Sequence, residues 1–298
     1  MALILVIGSS NTDMVLRVAE IPRPGQTISG GEFQTFGGGK GANQAIAARR
    51  AGGNVSFIAA IGDDDLGRGA IGSFAAEGID VSGIEVLSGT PSGVAFIFVS
   101  DAGENCIGVA PGANACLSSD TLLNQAHSFD NADLLLIQLE TPLETVRTAI
   151  EMAAKRQLRV VLNPAPAAAL PDDILEGLFC ITPNESEAEA LTGIAVNDVA
   201  SATVAADRLL QCGVENVVVT LGSQGALLKN SSETFMQAAE SVTVIDTTGA
   251  GDTFNGVFTT MVAKGHALPQ AIEIAVRAAS LSVQTAGAIA SIPTLDDQ

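Results

Sequence analysis

The chain has 298 residues and carries 33 acidic against 14 basic side chains, a formal net charge of −19. Such a field repels nucleic-acid backbones, and no apolar stretch is long enough to span a bilayer, so neither a nucleic-acid nor a membrane partner is expected. Hydrophobic residues make up 47% but aromatics only 4%, with no Trp and no Tyr, which suits buried parallel strands under close-packed helices: an α/β protein of one large domain with an appendage, or two modest domains.

The first apolar run, Leu3–Ile7, reads as a strand; it has no basic leader and is too short for a signal core, so a cytoplasmic chain is expected. It ends in Gly8-Ser9-Ser10-Asn11-Thr12-Asp13. In open α/β sheets, ligands gather beyond the carboxyl ends of strands. Asn11 and Asp13, two apart, either serve the backbone of a turn or hold vicinal hydroxyls of a sugar. Residues 15–36 alternate loosely around Pro22 and Pro24 and read as short strands and turns. Residues 92–109 read as a hairpin turning at Asp101-Ala102-Gly103-Glu104. Paired into one small sheet, these pieces need something to cover, and a lid over the strand-end cleft is expected. Its exposed edge or face favours pairing with a second copy.

Between them, Gly37-Gly38-Gly39-Lys40-Gly41-Ala42-Asn43-Gln44 opens an Ala-rich helix that ends at Gly52-Gly53. The spacing is neither a P-loop nor a dinucleotide fingerprint. The glycines make either an anion-friendly helix start or a bend for tight packing, and Lys40 and Asn43 share a helix face. From residue 110 the pattern alternates regularly. Strands are predicted over 133–139, 159–162, 180–182, 216–221 and 226–229, and helices over 143–156, 185–191, 198–212 and 269–284. That alternation implies right-handed crossovers and a mostly parallel sheet. Polar groups recur at strand ends: Gln138 and Glu140, Asn163, Asn184 and Glu187 with capping-box spacing, and Thr220, Gly222 and Ser223.

Near the C-terminus comes Asp246-Thr247-Thr248-Gly249-Ala250-Gly251-Asp252-Thr253-Phe254. Val242, Val244 and Ile245 precede it as an alternating run, so a strand-to-helix turn is predicted. Glycines at a helix start leave bare amides and a positive dipole end, a setting for a phosphate. Asp252 is there either as an N-cap or as an ionised base, its pKa drawn down by the helix start. The four cysteines (Cys106, Cys116, Cys180 and Cys212) and two histidines (His127 and His266) lack metal-ligand spacing, which leaves little for a zinc site or a Ser-His-Asp or Cys-His mechanism.

Taken together, these segments resemble the ribokinase branch of the PfkB-type carbohydrate kinases nearly end to end, through the Gly-Lys element at 39–44 and the Gly-Ala-Gly-Asp element at 249–252, with the strand-end motifs between them. The resemblance implies a three-layer α/β/α fold with a mostly parallel central sheet and a small β-sheet lid. By position, residues 1–11, 38–91 and 110–298 fall to the main domain, and 12–37 and 92–109 to the lid, which would also form a homodimer contact. It implies ATP-dependent phosphorylation of ribose at its 5-hydroxyl; the alternatives are a kinase for another small sugar such as deoxyribose or fructose, or for a nucleoside, and a sugar-binding regulator without catalysis. Asp252 matches the catalytic base, and Gly249, Ala250 and Gly251 match the anion hole. Asn11, Asp13, Gly39, Lys40, Asn43 and Glu140 match sugar contacts, with Asp252 again among them. Asn184, Thr220, Gly222, Ser223 and Gly251 match nucleotide contacts, and Glu187 an element that influences magnesium. Asp246, Thr248, Ser282, Thr285, Gly287 and Ser291 fall where the family holds a monovalent cation, usually potassium. Two departures stand out: Gly37 extends the first glycine cluster, and the loop Gln284-Thr285-Ala286-Gly287 has no basic residue.

Overall fold

The apolar run Leu3–Ile7 forms β1, and the computed structural model, which describes residues 2–295, sets it inside a nine-stranded sheet. Its side chains alternate between two layers: Leu5 and Ile7 join one buried cluster, Ile4 and Val6 the other. A strand apolar on both faces needs helices on both.

From β1 the chain leaves the sheet as β2 (Asn11–Val18), returns as β3 (Glu32–Gly38), and continues through α1 (Lys40–Arg50) into β4 (Asn54–Gly62). After α2 (Asp65–Ala76) and β5 (Ile84–Leu87) it leaves again as the hairpin β6 (Gly93–Ser100) and β7 (Asn105–Ala110). The short helices α3 (Ser119–Asn124) and α4 (Ala126–Asp130) lead to β8 (Leu134–Ile137), α5 (Leu143–Ala154) and β9 (Arg159–Leu162). Then follow α6 (Asp172–Leu175), β10 (Cys180–Ile181), α7 (Glu185–Thr192), α8 (Val199–Gln211) and β11 (Asn216–Thr220). The hairpin of β12 (Ala226–Asn230) and β13 (Thr234–Gln237) precedes α9 (Ala250–Ala263), α10 (Leu268–Ser282) and α11 (Ala288–Ser291).

The large sheet runs β13-β12-β11-β10-β9-β8-β1-β4-β5. It is parallel from β11 to β5, and only β12 and β13 pair antiparallel. Apolar residues of α5 and α8 pack on one face; those of α1, α9 and α10 pack on the other. This is the expected three-layer α/β/α arrangement. The second sheet, β3-β2-β6-β7, is the expected small one, and it sets Asn11 opposite both Gly38 and Gly93. No helix among the described residues is long and apolar enough to cross a membrane.

Two readings of the sequence need correction. Residues 242–245 are not a strand: Val244 and Ile245 are more than half exposed, and the segment is tied to α10 through Ile245 N–H to the Val283 carbonyl at 2.8 Å. Its alternating apolar side chains line a cleft rather than a sheet. Between 54 and 91, where the pattern suggested no element, lie β4, α2 and β5. Glycines 67, 69 and 72 blur the helical signal of α2.

Small residues let two elements meet closely at the heart of the molecule. A Cβ on Gly256 of α9 would come within 2.5 Å of both the Ala47 Cβ and the Gln44 carbonyl of α1. A Cβ on Gly41 would lie 2.6 Å from the Gly8 carbonyl carbon. Glycine at these two places brings the first turn of α1 onto both β1 and α9.

Candidate active site

The start of α9 is built on Gly249, whose left-handed φ of 77° suits a residue without Cβ. The Ala250 N–H bends back to the Thr247 carbonyl at 3.2 Å, so this amide of the expected anion nest is already engaged. The N–H groups of Gly249, Gly251 and Asp252 have no protein acceptor among the described residues. A Cβ on Gly251 would meet nothing within 4 Å, so the backbone there borders open space. Unpaired donors at a helix start, with no side chain in the way, can receive an anion.

Asp252 is not a cap. It sits in the first turn of α9 but turns its carboxylate toward α1, where Asn43 Nδ2 donates to Oδ2 at 2.8 Å and Gln44 Nε2 donates to Oδ1 at 2.9 Å. It keeps 7% of its surface open. The expected lowering of its pKa is reversed: burial pushes the carboxyl above its ordinary value, while Lys40 and the two amide donors pull the other way and Glu140 adds to the rise.

The first turn of α1 satisfies itself from the polar ends of β1 and β8. Lys40 N–H donates to Glu140 Oε2 at 3.0 Å, the Ser9 hydroxyl donates to the same oxygen at 2.5 Å, and Ala42 N–H donates to the Ser9 carbonyl at 2.9 Å. The glycines around α1 therefore serve close approach, and the anion held at this helix start is Glu140 itself. Gly39, at φ 90°, lies against the Asn11 amide, and the bare Gly38 makes room for the Asp13 carboxylate. Asp13 feels both Glu140 and Asp252. Burial, then Glu140 and Asp252, raise its pKa to about 6. Burial opposes the charge of Lys40, but Asp252, Glu140 and Glu187 hold its pKa above the usual value. Asp13, Lys40, Asn43, Glu140 and Asp252 thus converge, although they come from β2, α1, the end of β8 and α9. Asn11 stands at the same strand end. Its Oδ1 accepts from Asn114 Nδ2 at 2.8 Å, and its own amide N–H groups have no protein acceptor among the described residues.

On the other side of the α9 start lies a cleft of about 560 Å³. Asn184, Thr220, Gly222, Ser223, Ala250 and Gly251 line its polar end, and Val242, Val244, Val276, Ala279 and Val283 its apolar part. The predicted nucleotide contacts are thereby brought together. Asn184 and Glu187 form the capping box their spacing suggested: Asn184 Oδ1 accepts from Glu187 N–H at 2.9 Å, and Glu187 Oε2 accepts from Asn184 N–H at 2.9 Å. Burial raises the Glu187 pKa, with the Asn184 N–H and Lys40 opposing.

Of the residues expected at a cation, Asp246, Thr248 and Gly287 are joined by hydrogen bonds, and Ser282 and Thr285 share a turn. Asp246 Oδ1 accepts from Thr248 N–H and hydroxyl at 2.9 and 2.6 Å, and Oδ2 accepts from Gly287 N–H at 2.9 Å, joining two loops. Thr285 N–H donates to the Ser282 carbonyl at 3.2 Å in the same turn, while the Ser291 hydroxyl bonds to Ala288 of its own short helix. Among the described residues no group of three or more His, Cys, Asp and Glu is placed to hold a metal ion. Three participants escaped notice in the sequence as individual residues: Ser9 on Glu140, Asn114 on Asn11, and Gln44 on Asp252. Ser9 and Gln44 sit inside motifs that stood out. Asn114 lies about a hundred residues from its partner and gave no local signal.

The arrangement pairs a buried carboxylate with bare amides, between a polar pocket and a cleft of mixed polarity. Residues 1–295 match the profile of the pfkB family carbohydrate kinases. The chain belongs to that family. As a carbohydrate kinase it is a phosphotransferase acting on a sugar hydroxyl. A ribokinase of Haemophilus influenzae is 44% identical over 289 residues, covering 97% of this chain and 94% of that one. A ribokinase structure from Thermotoga maritima superposes with a TM-score of 0.90 at 38% identity, covering 99% of this chain and 97% of the other. An Arabidopsis thaliana ribokinase complexed with ribose and ATP superposes with a TM-score of 0.90 at 30% identity, covering 98% and 95%.

Proposed function

We propose that this carbohydrate kinase transfers the γ-phosphoryl group of ATP to the 5-hydroxyl of ribose. The observation that carries the reading is the Asp252 carboxylate, held by Asn43 and Gln44 in the first turn of α9 beside the unpaired amides of Gly251 and Asp252. It is supported by near-full-length similarity to proteins named ribokinase and to one complexed with ribose and ATP.

Phosphoryl transfer asks mainly for positioning and charge stabilisation. Asp13, Lys40, Asn43 and Glu140, with Asn11 and the Gly39 backbone, hold the sugar. Its terminal hydroxyl then meets Asp252, which accepts the proton as the oxygen attacks phosphorus. A carboxylate made more basic by burial is a better acceptor. The amides of Gly249, Gly251 and Asp252 face the charge that develops on the transferred group, and the helix dipole adds to them. The nucleotide occupies the cleft, with its base among the valines and its phosphates toward Gly251; Thr220, Gly222, Ser223 and Asn184 contact it. The four-stranded sheet, residues 12–37 and 92–109, closes as a lid and excludes water.

Magnesium fits this site as an ion carried on the phosphates. Glu187 Oε2 accepts from Asn184 N–H at 2.9 Å and Oε1 from Asn184 Nδ2 at 3.0 Å, which orients the carboxylate that would act on the ion. Bound there, the ion supplies positive charge to the phosphates. The carboxylate, hydroxyl and main-chain oxygens of Asp246, Thr248, Ser282, Thr285, Gly287 and Ser291 would hold a monovalent cation. It would stiffen the two loops that Asp246 already joins. We assign the protein to the cytoplasm. A homodimer forms through the lid, whose face away from Asp13 exposes Phe33 and Phe96.

The test is a coupled ADP-release assay on ribose, 2-deoxyribose, fructose and a nucleoside, with and without potassium. Preferred turnover of ribose is expected, and ADP release with none of these sugars would overturn the reading.

A further inference from the structure

Gln138 and Asn163 stand at the carboxyl ends of β8 and β9, and the reaction described so far gives neither of them a task. Both are buried, as is Gln44, which is fully covered. The three form a directed chain of amides. The Thr182 main-chain carbonyl can only accept, so Asn163 must present Nδ2 to it, at 3.2 Å. Asn163 then turns Oδ1 toward Gln44, whose Nε2 donates to it at 2.9 Å. The second hydrogen of that nitrogen goes to Asp252 Oδ1, also at 2.9 Å. The Gln44 Oε1 accepts from Gln138 Nε2 at 2.7 Å. Every polar atom of the Gln44 side chain is thereby used. A flipped Gln44 would set its oxygen against both the Asn163 oxygen and the Asp252 carboxylate.

We infer that Gln44 and Asn163 are positioning residues of the phosphoryl transfer: their amide chain, given its direction by the Thr182 carbonyl, hands Asp252 an N–H donor and so keeps the carboxylate ionised and aimed at the substrate hydroxyl. This rests on the reading of Asp252 as the base. A donor to the charged form favours that form and offsets the burial that opposes it. Three buried amides are a costly way to fill space that apolar side chains would fill as well. Among the described residues, the Asp252 carboxylate is the ionisable group on which these amides end.

The test replaces Gln44 by methionine, which keeps the length and removes the N–H. In Q44M the KM values for ribose and ATP are expected to stay within about threefold of the parent. Its kcat should fall on the order of tenfold to a hundredfold, and the acidic limb of the kcat–pH profile should move up by roughly one pH unit, because protonated Asp252 cannot accept the hydroxyl proton. Asn163→Leu, which frees Gln44 to flip, should move the limb the same way by less. Asp252→Asn is measured alongside. If D252N is inert while folded Q44M keeps the parental kcat and an unshifted limb, the positioning role is wrong and the base stands. If D252N keeps near-parental turnover, the base itself is wrong and the inference falls with it. Should Q44M fail to fold by circular dichroism, Asn163→Leu, which leaves Gln44 in place and removes the acceptor that directs its N–H, decides by the direction of the shift in the acidic limb.

Discussion

A single carboxylate, Asp252, carries the chemistry proposed for this site, and its surroundings define what replacing it should do. In Asp252→Asn, one of the donors from Asn43 and Gln44 would face an N–H instead of an oxygen, but the side chain keeps its shape. Binding of sugar and nucleotide should persist, and kcat should fall by about 10²–10⁴-fold, the usual contribution of a general base. Steady-state kinetics with separate sugar and nucleotide titrations read this directly, and a kcat near that of the parent would remove the assignment. Asp13 gives a pH test. Its folded pKa is raised to about 6 from 3.8. A raised carboxyl means the folded chain holds its proton to higher pH than the unfolded chain does. The resulting penalty on stability is absent well below pH 4, builds between about pH 4 and pH 6, and is fully present at neutral pH. Asp13→Asn should therefore raise stability at pH 7 by on the order of 1–3 kcal/mol and leave it unchanged near pH 3. The same variant should raise the sugar KM far more than the nucleotide KM, because a hydroxyl-accepting carboxylate is lost. Below pH 6 the parent should show the same weakening as Asp13 takes up its proton. At this scale the sequence displayed nearly every side chain that converges here, since each closes a strand or opens a helix. It did not display the links between them. Gln44 to Asn163 spans 119 positions and Asn114 to Asn11 spans 103, and nothing local encodes such pairs.

The elements that carry these residues are held by close approach rather than by bulk. α1 meets α9 where Gly256 has no side chain, and that contact sets Asn43 and Gln44 against Asp252. Gly256→Ala would force its Cβ into backbone and Cβ atoms of α1 only 2.5 Å away, none of which is a flexible side-chain end. A loss of about 1–3 kcal/mol is expected, the usual cost of overpacking, together with a fall in kcat as the two amides retreat from the carboxylate. Thermal melts and kinetics on one preparation test both halves, and a variant as stable and active as the parent would mean that the contact is unimportant. The start of α7 offers a milder case. Asn184→Ala removes the side-chain half of the capping box, leaves the Asn184 N–H bond to Glu187 Oε2, and should cost about 1 kcal/mol, with a raised nucleotide KM because Asn184 also borders the cleft. Element boundaries were legible wherever periodicity had one physical origin. The strands β8, β9 and β11 and the hairpin turn at 101–104 are apolar or polar for reasons of burial alone. Residues 242–245 were misread because their apolar alternation comes from lining a cleft. The helix α2 was passed over because its glycines lower the helical signal, although Gly67 is required there: its Cβ would lie 2.2 Å from the Gly62 carbonyl.

On the scale of the whole molecule, the four-stranded sheet keeps large apolar side chains exposed in the single chain. β7 is exposed along its whole length, so a sheet edge stands open. Pairing assigns the faces: Asp13 lies beside Ala95 and Phe36, whereas Met14 pairs with Phe96, and Leu16 with Phe98 and Phe33. The face away from Asp13 therefore carries Phe33 and Phe96, 60% and 50% exposed. A small sheet with large apolar side chains outward is unstable alone, and a second copy of the same sheet would cover it symmetrically. Charge determines how that association responds to salt. Two chains of net charge −19 repel, and the contact offered is apolar, so added salt should tighten the dimer rather than loosen it. An interface built on ion pairs would respond in the opposite sense. Phe96→Glu places a like charge in the centre of each contact and removes apolar burial worth about 1.5–3 kcal/mol per side chain. Sedimentation equilibrium should find the parent dimeric at micromolar concentration and the variant monomeric. The monomer should bind sugar more weakly, because a lid without its support closes less readily, while Asp252 and the cleft are untouched. A parent that sediments as a monomer at every salt concentration would rule out a second copy as the cover of these phenylalanines.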